Sequence, residues 1–223
     1  MAYQNILVFD TETTGLPNRK SVELTDQPHI VQFSYLIYHM PTQTITKIVD
    51  RIVKIPLEIE LSEFCKNIHK IDQIICQEYG VEIEKVLEEF YEDLLICDLC
   101  VAHNIQFDLF MVETECKRML TKQEENSLEY QKIKRRLRYL KNCGKFYCTM
   151  MNSIQLCKIT FPNSLKYKFP KLSELHSHLF GELNENIVLH NALYDVYVCL
   201  RCYIKIKEDN DLPTPLLKEL YFL

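Results

Sequence analysis

The chain has 223 residues, of which 47% are apolar and 26% are charged, and its formal net charge is −5. This composition is ordinary for a globular protein with one large domain or two small ones, and it leaves enough apolar chain for a full core. No run of about 18 uncharged apolar residues is present, so no membrane span is expected. The four glycines form neither a phosphate-binding loop nor a dinucleotide fingerprint, which argues against those two kinds of nucleotide chemistry.

The ten cysteines are a second compositional feature. Several lie inside apolar runs, such as Cys100 between Leu99 and Val101, where free cysteine packs as a small hydrophobe. Met1 leads at once into an apolar segment without the pattern of a secretory leader. We therefore expect an intracellular protein, in the cytoplasm or nucleus, in a reducing compartment.

The first strong signal in chain order is the apolar run at residues 6–9, which leads directly into Asp10 and Glu12. Such a run, without polar alternation, predicts a strand that is buried on both faces. Positions i and i+2 of an extended chain point to the same side, so the two carboxylates are aimed together. Repulsion between them is relieved by Mg²⁺ or Mn²⁺, or by protonation of one acid. An ordinary acidic loop after a core strand is the alternative.

The following segments predict strands and then helices. Residues 17–28 are expected to form a long surface loop, and residues 30–38 and 44–53 to form a hairpin beside the first strand. A short helix is predicted at 59–66, followed by a connector at 67–71. Residues 81–97 have the apolar spacing of a helix, with an acidic outer face that we interpret as solvated.

The second half of the chain alternates between predicted helices and predicted strands. Strands are predicted at 99–102 and 146–149, and a loop at 158–170. Helices are predicted at 105–120, 122–142, 150–157, 172–180 and 190–207. Strands followed by alternating helices and strands indicate an α/β fold with a mixed sheet. No linker divides the chain, so we expect one domain at 1–210 and a tail at 211–223 that packs on it, with docking on a partner as the alternative for the tail.

Two further segments carry acids in apolar surroundings. Asp108 lies in the first turns of a predicted helix, where an acid is also favoured for purely structural reasons. His190 lies at the entry to the last strong helix, and Asp195 more than one turn inside it. Jointly with Asp10 and Glu12, these acids could surround a pair of metal ions that hold the attacking and leaving oxygens of a phosphoryl displacement. A histidine can accept a proton from water at neutral pH.

These segments resemble the three motifs of a known family. They are Phe9-Asp10-Thr11-Glu12-Thr13-Thr14-Gly15-Leu16, His103-Asn104-Ile105-Gln106-Phe107-Asp108 and His190-Asn191-Ala192-Leu193-Tyr194-Asp195. Together they resemble the DnaQ-like, or DEDDh, 3′–5′ exonucleases over about residues 4–205. Two weaker similarities are Ile68-His69-Lys70-Ile71, where the family has glycine in place of Lys70, and the segment at 171–175 before the third motif.

The resemblance implies an RNase H-like exonuclease fold, with a mixed five-stranded sheet flanked by helices. It implies two Mg²⁺ (or Mn²⁺) ions held by Asp10, Glu12, Asp108 and Asp195, with His190 as general base for the attacking water. It also implies that the 3′-terminal nucleotide is lined by a further set of residues. These are Thr13, Gly15, Leu16, Asn104 and Phe107.

On this basis we expect a 3′–5′ exonuclease that acts on single-stranded nucleic acid and releases nucleoside 5′-monophosphates. DNA is favoured over RNA, because the Asp-Thr-Glu-Thr-Thr-Gly form looks closer to proofreading exonucleases than to oligoribonucleases. The alternatives are an exoribonuclease of the same fold and a nuclease-like binding module that serves a polymerase or replication partner. The basic stretch at 132–141 is either a solvated helix face or an arm that contacts phosphates.

Overall fold

A mixed five-stranded sheet forms the centre of the computed structural model, which describes residues 3–183 and 189–222. The strands are β1 (Asn5–Thr13), β2 (Ile30–His39), β3 (Thr44–Ile52), β4 (Leu99–Ala102) and β5 (Phe146–Cys148). The helices are α1 (Glu63–His69), α2 (Gln73–Tyr79), α3 (Ile83–Ile96), α4 (Ile105–Thr121), α5 (Leu128–Asn142), α6 (Thr149–Cys157), α7 (Leu172–Phe180), α8 (Ala192–Glu208) and α9 (Thr214–Phe222). A short 3₁₀ helix at Leu24–Asp26 lies in the long loop after β1.

The strand order is β3-β2-β1-β4-β5, which places β1 at the centre of the sheet. Strand β1 pairs antiparallel with β2 and parallel with β4, and the β2–β3 hairpin and the parallel β4–β5 pair complete the sheet. The apolar run at 6–9 is completely buried, as its sequence predicts. The mixed sheet and the predicted hairpin are both confirmed.

Side chains alternate along β1 between two cores. Leu7 and Phe9 belong to the core that α3 and α4 cover, whereas Ile6 and Val8 belong to the core that α8 covers. The first core contains a group of aromatic rings whose centroids lie 4.9–6.2 Å apart. Because alternation continues past residue 9, the polar residues that follow are also distributed between the two faces.

The region between the hairpin and α3 differs from the prediction. The predicted helix at 59–66 begins at Glu63, because the Ser62 side chain accepts a hydrogen bond from the Cys65 backbone N–H and caps the first turn. Helix α2 was not predicted at all. Asp72 caps it by accepting a hydrogen bond from the Ile75 backbone N–H, and with only seven residues it is too short to show a clear helical period.

The C-terminal elements also begin and end differently from the prediction. The last strong helix begins at Ala192, so His190 lies outside it and Asp195 lies in its first turn. The tail contains α9, which contacts α8 and buries Leu216 and Leu220 in the same core as the inner face of α8. The predicted loop at 158–170 contains an antiparallel bridge between Thr160 and Tyr167.

Charge is strongly segregated along the chain. Residues 130–173 contain eleven Lys and Arg residues and no Asp or Glu. This stretch runs from α5 through β5 and α6 to the start of α7, so it flanks the edge of the sheet opposite β3. Among the described residues, none of the helices combines the length and apolar character needed to cross a membrane.

Candidate active site

The carboxyl end of β1 positions the first two acids. Asp10 and Glu12 lie within the strand, which continues to Thr13, and they share the face of Ile6 and Val8 that meets α8. The pairing register with β2 shifts between Glu12 and Thr13, and such a bulge bends and twists a strand locally. The central strand therefore presents two carboxylates toward the helix that carries Asp195.

Thr11 points to the opposite face of β1 and holds the third acid. Its backbone N–H and its Oγ1 hydroxyl both donate to Asp108 Oδ1, at 3.0 and 2.7 Å. Asp108 lies in the first turn of α4 and is 1% exposed, so these two donors compensate part of the cost of its burial. The sequence did not indicate this role for Thr11, because the two residues are separated by 97 positions.

The start of α8 positions the fourth acid. The Asn191 side chain caps the helix by accepting a hydrogen bond from the Leu193 backbone N–H, and the backbone N–H of His190 donates to Asp195 Oδ2 at 3.0 Å. His190 adopts a left-handed conformation with φ 73° and its side chain is exposed. Gln32 of β2, which is buried, accepts a hydrogen bond from the Ala192 backbone N–H and so connects the first turn of α8 to the sheet.

The four acids form one electrostatically coupled group. Burial raises the pKa of Glu12 to about 8, and the charges of Asp195 and Asp108 contribute to that rise. Burial also raises the pKa of Asp108 to about 7, against the opposing effect of the Thr11 hydrogen bonds, and that of Asp195 to about 7. The pKa of Asp10 is raised by burial and then by the three neighbouring carboxylates. Four ionised carboxylates are therefore unstable together at neutral pH without bound cations.

The arrangement of donor atoms fits a divalent ion. One potential ligand atom from each of Glu12, His190 and Asp195 lies within 4.8 Å of the others, and Asp10 and Asp108 add carboxylates beside this group. Carboxylate-rich sites of this kind suit Mg²⁺ and Mn²⁺. The residues present therefore fit the metal ions that the sequence predicts, and neutralisation of the coupled carboxylates gives a reason for them to bind.

The residues predicted to line the terminal nucleotide lie next to these acids. Thr13 is buried and donates its hydroxyl to the Gly15 carbonyl, and Leu16 follows with 82% of its surface exposed. Asn104 is exposed at the start of α4, and Phe107 packs partly against the core one residue before Asp108. The structure thus places all five at the ends of β1 and α4 that carry Asp10, Glu12 and Asp108.

Two histidines near the site have structural contacts that the sequence did not reveal. His69 is buried, accepts a hydrogen bond from the Ile71 backbone N–H at Nδ1, and approaches the backbone of Thr13. Its neighbour Lys70 is in the left-handed region with φ 61°, which explains why glycine suits this position in the similar family segment.

His103, at the end of β4, lies between Thr149 and the Pro170 carbonyl, with its Nε2 3.0 Å from that oxygen. Because a carbonyl only accepts, Nε2 carries the proton and Nδ1 accepts from the Thr149 hydroxyl. Burial lowers the pKa of His103 to about 4, so the ring is neutral at pH 7.

Comparison with known proteins agrees with this geometry. A family model described as RNase T, exonuclease, matches residues 7–203. The chain belongs to the RNase T exonuclease family. All three motif segments of this exonuclease family member fall within the matched range, and the DEDDh resemblance stated from the sequence is confirmed. No curated protein matches the chain significantly.

Solved structures share the fold of this family member at low sequence identity. Exonuclease X in complex with 5′-overhanging duplex DNA is 19% identical, with a TM-score of 0.56 over 97% of this chain and 99% of the other. The nuclease domain of 3′hExo, a DEDDh family member bound to rAMP, is 14% identical, with a TM-score of 0.60 over 94% of each chain. Escherichia coli exonuclease I with a dA16 oligonucleotide is 14% identical, with a TM-score of 0.60 over 98% of this chain and 43% of the other. The predicted RNase H-like exonuclease fold is confirmed.

Proposed function

We propose that this protein is a metal-dependent 3′–5′ exonuclease that shortens single-stranded DNA and releases nucleoside 5′-monophosphates. The observation that carries the proposal is the convergence of Asp10, Glu12, Asp108 and Asp195 from β1, α4 and α8 in one group, in which Asp108 and Asp195 are buried and Asp10 and Glu12 are half-buried. Burying several carboxylates together is costly for a fold, so a site of this kind supports a role in binding cations.

In the proposed site, Asp10, Glu12 and Asp195 would hold one divalent ion, and Asp10 would also reach a second, with Asp108 helping through water. When bound, such ions would supply positive charge to the attacking and leaving oxygens and to phosphorus. Thr11 keeps Asp108 oriented through its two hydrogen bonds, and the backbone N–H of His190 does the same for Asp195. The fixed geometry of these side chains is the contribution of the chain to the reaction.

His190 is the proposed general base. It removes a proton from water as the water oxygen bonds to phosphorus, the P–O3′ bond breaks, and O3′ of the shortened strand takes up a proton. The exposure of the His190 side chain supports this role, because the imidazole can pass its proton to solvent after each cycle. A ring nitrogen of His190 lies within 4.8 Å of carboxylate oxygens from Glu12 and Asp195, which supports the proposal that the imidazole acts beside the ions.

Recognition of the terminal nucleotide is assigned to Thr13, Gly15, Leu16, Asn104 and Phe107. The exposed Leu16 side chain is available to pack against a base, and Asn104 offers an amide to the sugar or base edge. Thr13 donates its hydroxyl to the Gly15 carbonyl, so its part is to shape the turn through which Gly15 approaches the nucleotide.

The preference for DNA rests on the form of the first motif, and an exoribonuclease is the alternative. The similar 3′hExo domain is bound to rAMP, whereas the similar exonucleases X and I are bound to DNA, so relatives of both kinds share this fold. Discrimination between the sugars depends on contacts with a 2′-hydroxyl, which a direct comparison of substrates tests. No polymerase partner is included in the proposal.

The test uses 5′-labelled DNA and RNA oligonucleotides of one sequence, with Mg²⁺ or Mn²⁺ and with EDTA as a control. We expect a ladder that shortens from the 3′ end only with metal present, and faster shortening of DNA. The Asp10→Asn variant removes a ligand charge without changing side-chain size, and it should lower the rate by roughly 10³-fold or more. Glu92→Gln, the same chemical change on the exposed face of α3, should retain full activity.

The absence of shortening for both substrates in the wild-type protein would refute the proposed activity. Faster shortening of RNA would replace the DNA proposal with the exoribonuclease.

We further propose that the tail at 211–223 is part of the same domain, which the burial of Leu216 and Leu220 supports. A reducing compartment is proposed from the ten cysteines, all of which are free.

A further inference from the structure

The segment at 158–171, between α6 and α7, is a hairpin. The Lys168 backbone N–H donates to the Ile159 carbonyl at 2.8 Å, and the Phe161 backbone N–H donates to the Lys166 carbonyl at 3.3 Å. The turn contains Asn163 in the left-handed region, with φ 58°. These hydrogen bonds give the segment a defined shape, so the side chains along it have fixed directions.

The hairpin exposes apolar side chains that a surface loop ordinarily does not need. Leu165 is 98% exposed, Phe169 54%, Phe161 49% and Tyr167 39%. Three aromatic rings within nine residues are therefore open to solvent. Exposed apolar groups that cluster in one ordered segment commonly mark a binding surface.

Lysines alternate with these rings. Lys158, Lys166, Lys168 and Lys171 lie in the hairpin, within the acid-free stretch at 130–173. Lys168 pairs with Glu174 beyond the stretch, whereas Lys158 and Lys166 are exposed. Phe161 and Lys166 are opposite one another across the hairpin and so share a face. A face with a ring beside a cation complements a single strand, whose bases stack on the ring while its phosphates meet the cation.

The base of the hairpin is connected to the active site. His103 donates from Nε2 to the Pro170 carbonyl, and the next residue, Asn104, begins the helix that carries Asp108. One side chain therefore connects the end of the hairpin to the end of β4. A strand whose 3′ end occupies the site would find this surface within reach.

We infer that the hairpin at 158–171 binds the single-stranded nucleic acid that lies upstream of the 3′-terminal nucleotide, by stacking on Phe161 and by a phosphate contact with Lys166 on the same face. The inference rests on the proposed nuclease function. It assigns to the hairpin the affinity for long strands, whereas the acids at β1, α4 and α8 carry out the cleavage.

The test separates binding from cleavage. Binding of a fluorescent DNA oligonucleotide to the Asp10→Asn protein is measured by anisotropy at several salt concentrations, so that no cleavage occurs. We expect Phe161→Ala to weaken binding roughly 5- to 150-fold, the loss of one stacked base. Lys166→Glu should also weaken binding, and it should lower the slope of log affinity against log salt by about 0.7, because one phosphate is no longer neutralised.

A matched control makes the same change of charge elsewhere. Lys85→Glu replaces one exposed lysine on α3, and it should leave both the affinity and the slope close to those of the parent protein. In the background with Asp10 intact, the p-nitrophenyl ester of thymidine 5′-monophosphate reports the active site without a strand. All hairpin variants should hydrolyse this ester at the wild-type rate while losing activity on long oligonucleotides.

Oligonucleotide affinity equal to that of the control variant would overturn the inference. Hairpin-dependent adsorption to phosphatidylserine vesicles, with unchanged oligonucleotide binding, would overturn it in favour of a membrane surface. Failure of the wild-type protein to cleave either the ester or the oligonucleotides would instead refute the proposed function, because the binding measurement does not require cleavage.

Discussion

Replacement of Thr11 by Val tests how Asp108 is held in the site. Valine has the shape of threonine and favours a strand equally well, so the change removes one hydroxyl and little else. The hydroxyl donates to Asp108 Oδ1 at 2.7 Å, whereas the second donor, the Thr11 backbone N–H, is retained. Hydrogen bonds to charged groups contribute about 1.5–3 kcal/mol, which corresponds to roughly a 10- to 150-fold change in an equilibrium or rate constant.

We expect Thr11→Val to lower the single-turnover rate by roughly 10- to 100-fold and to raise the Mg²⁺ concentration needed for half-maximal activity. The physical reason for this loss of activity is that Asp108, which is 1% exposed, no longer accepts a hydrogen bond from the Thr11 hydroxyl. That hydrogen bond favours the ionised form of Asp108 and fixes its orientation. The assay is cleavage of a 5′-labelled oligonucleotide with excess enzyme at increasing metal concentration. Thr11→Ser keeps the hydroxyl and is the control. Equal rates and equal metal dependence for the Val and Ser variants would refute the argument that Thr11 orients a metal ligand.

Three other predictions concern stability. Lys70→Gly should raise the free energy of unfolding by about 0.5–1 kcal/mol, because glycine adopts φ 61° without strain. The control Lys66→Gly, inside α1, should lower it by about 1 kcal/mol. A lower free energy of unfolding for Lys70→Gly in denaturant titrations would contradict this prediction. Because the pKa of His103 is about 4 in the folded protein, the unfolded chain binds the proton first, and the free energy of unfolding falls as the pH decreases below about 6.5. Between about pH 7 and pH 5 the wild type should therefore lose about 2 kcal/mol more of this free energy than His103→Gln. Equal losses in the two proteins would exclude a buried neutral ring. Leu220→Ala should lower the free energy of unfolding by about 2–5 kcal/mol, because Leu220 is fully buried. Lys218→Ala, at an exposed position, should lower it by less than about 0.5 kcal/mol. Equal melting temperatures for the two variants would show that the tail does not belong to the domain.

The sequence predicted the centre of the fold well because its signals there are local. A continuous apolar run identified β1, and apolar periods identified α3 and α8, two of the helices that cover the sheet. The four acids and the histidine indicated a shared site because together they could serve metal-assisted phosphoryl transfer, and because their segments resemble three motifs of one family. The three segments that carry the acids were therefore found from the sequence.

The remaining features depend on interactions between distant residues. The alternation of side chains along a strand places Thr11 on the face of β1 opposite to that of Asp10 and Glu12. Only the fold shows that Asp108, 97 positions away in the sequence, accepts a hydrogen bond from the Thr11 hydroxyl. The start of α8 was predicted two residues early, although Asn191, which caps the helix, is a local signal that could have located it. The hairpin at 158–171 was predicted as a loop, although the Pro162-Asn163 pair is a turn signal that could have located it.

The distribution of the ten cysteines makes the native chain suitable for chemical labelling. Seven are buried, and burial raises the pKa of thiols such as Cys100 and Cys199, so they react slowly with alkylating reagents. Cys65, Cys143 and Cys157 are only partly buried. Cys65 contacts the Thr14 carbonyl beside the motif of β1, and Cys157 directly precedes the hairpin. A fluorophore on Cys65 would report occupancy of the nucleotide site, and one on Cys157 occupancy of the hairpin. Each needs only the other two partly buried cysteines to be replaced, whereas the seven buried ones can stay.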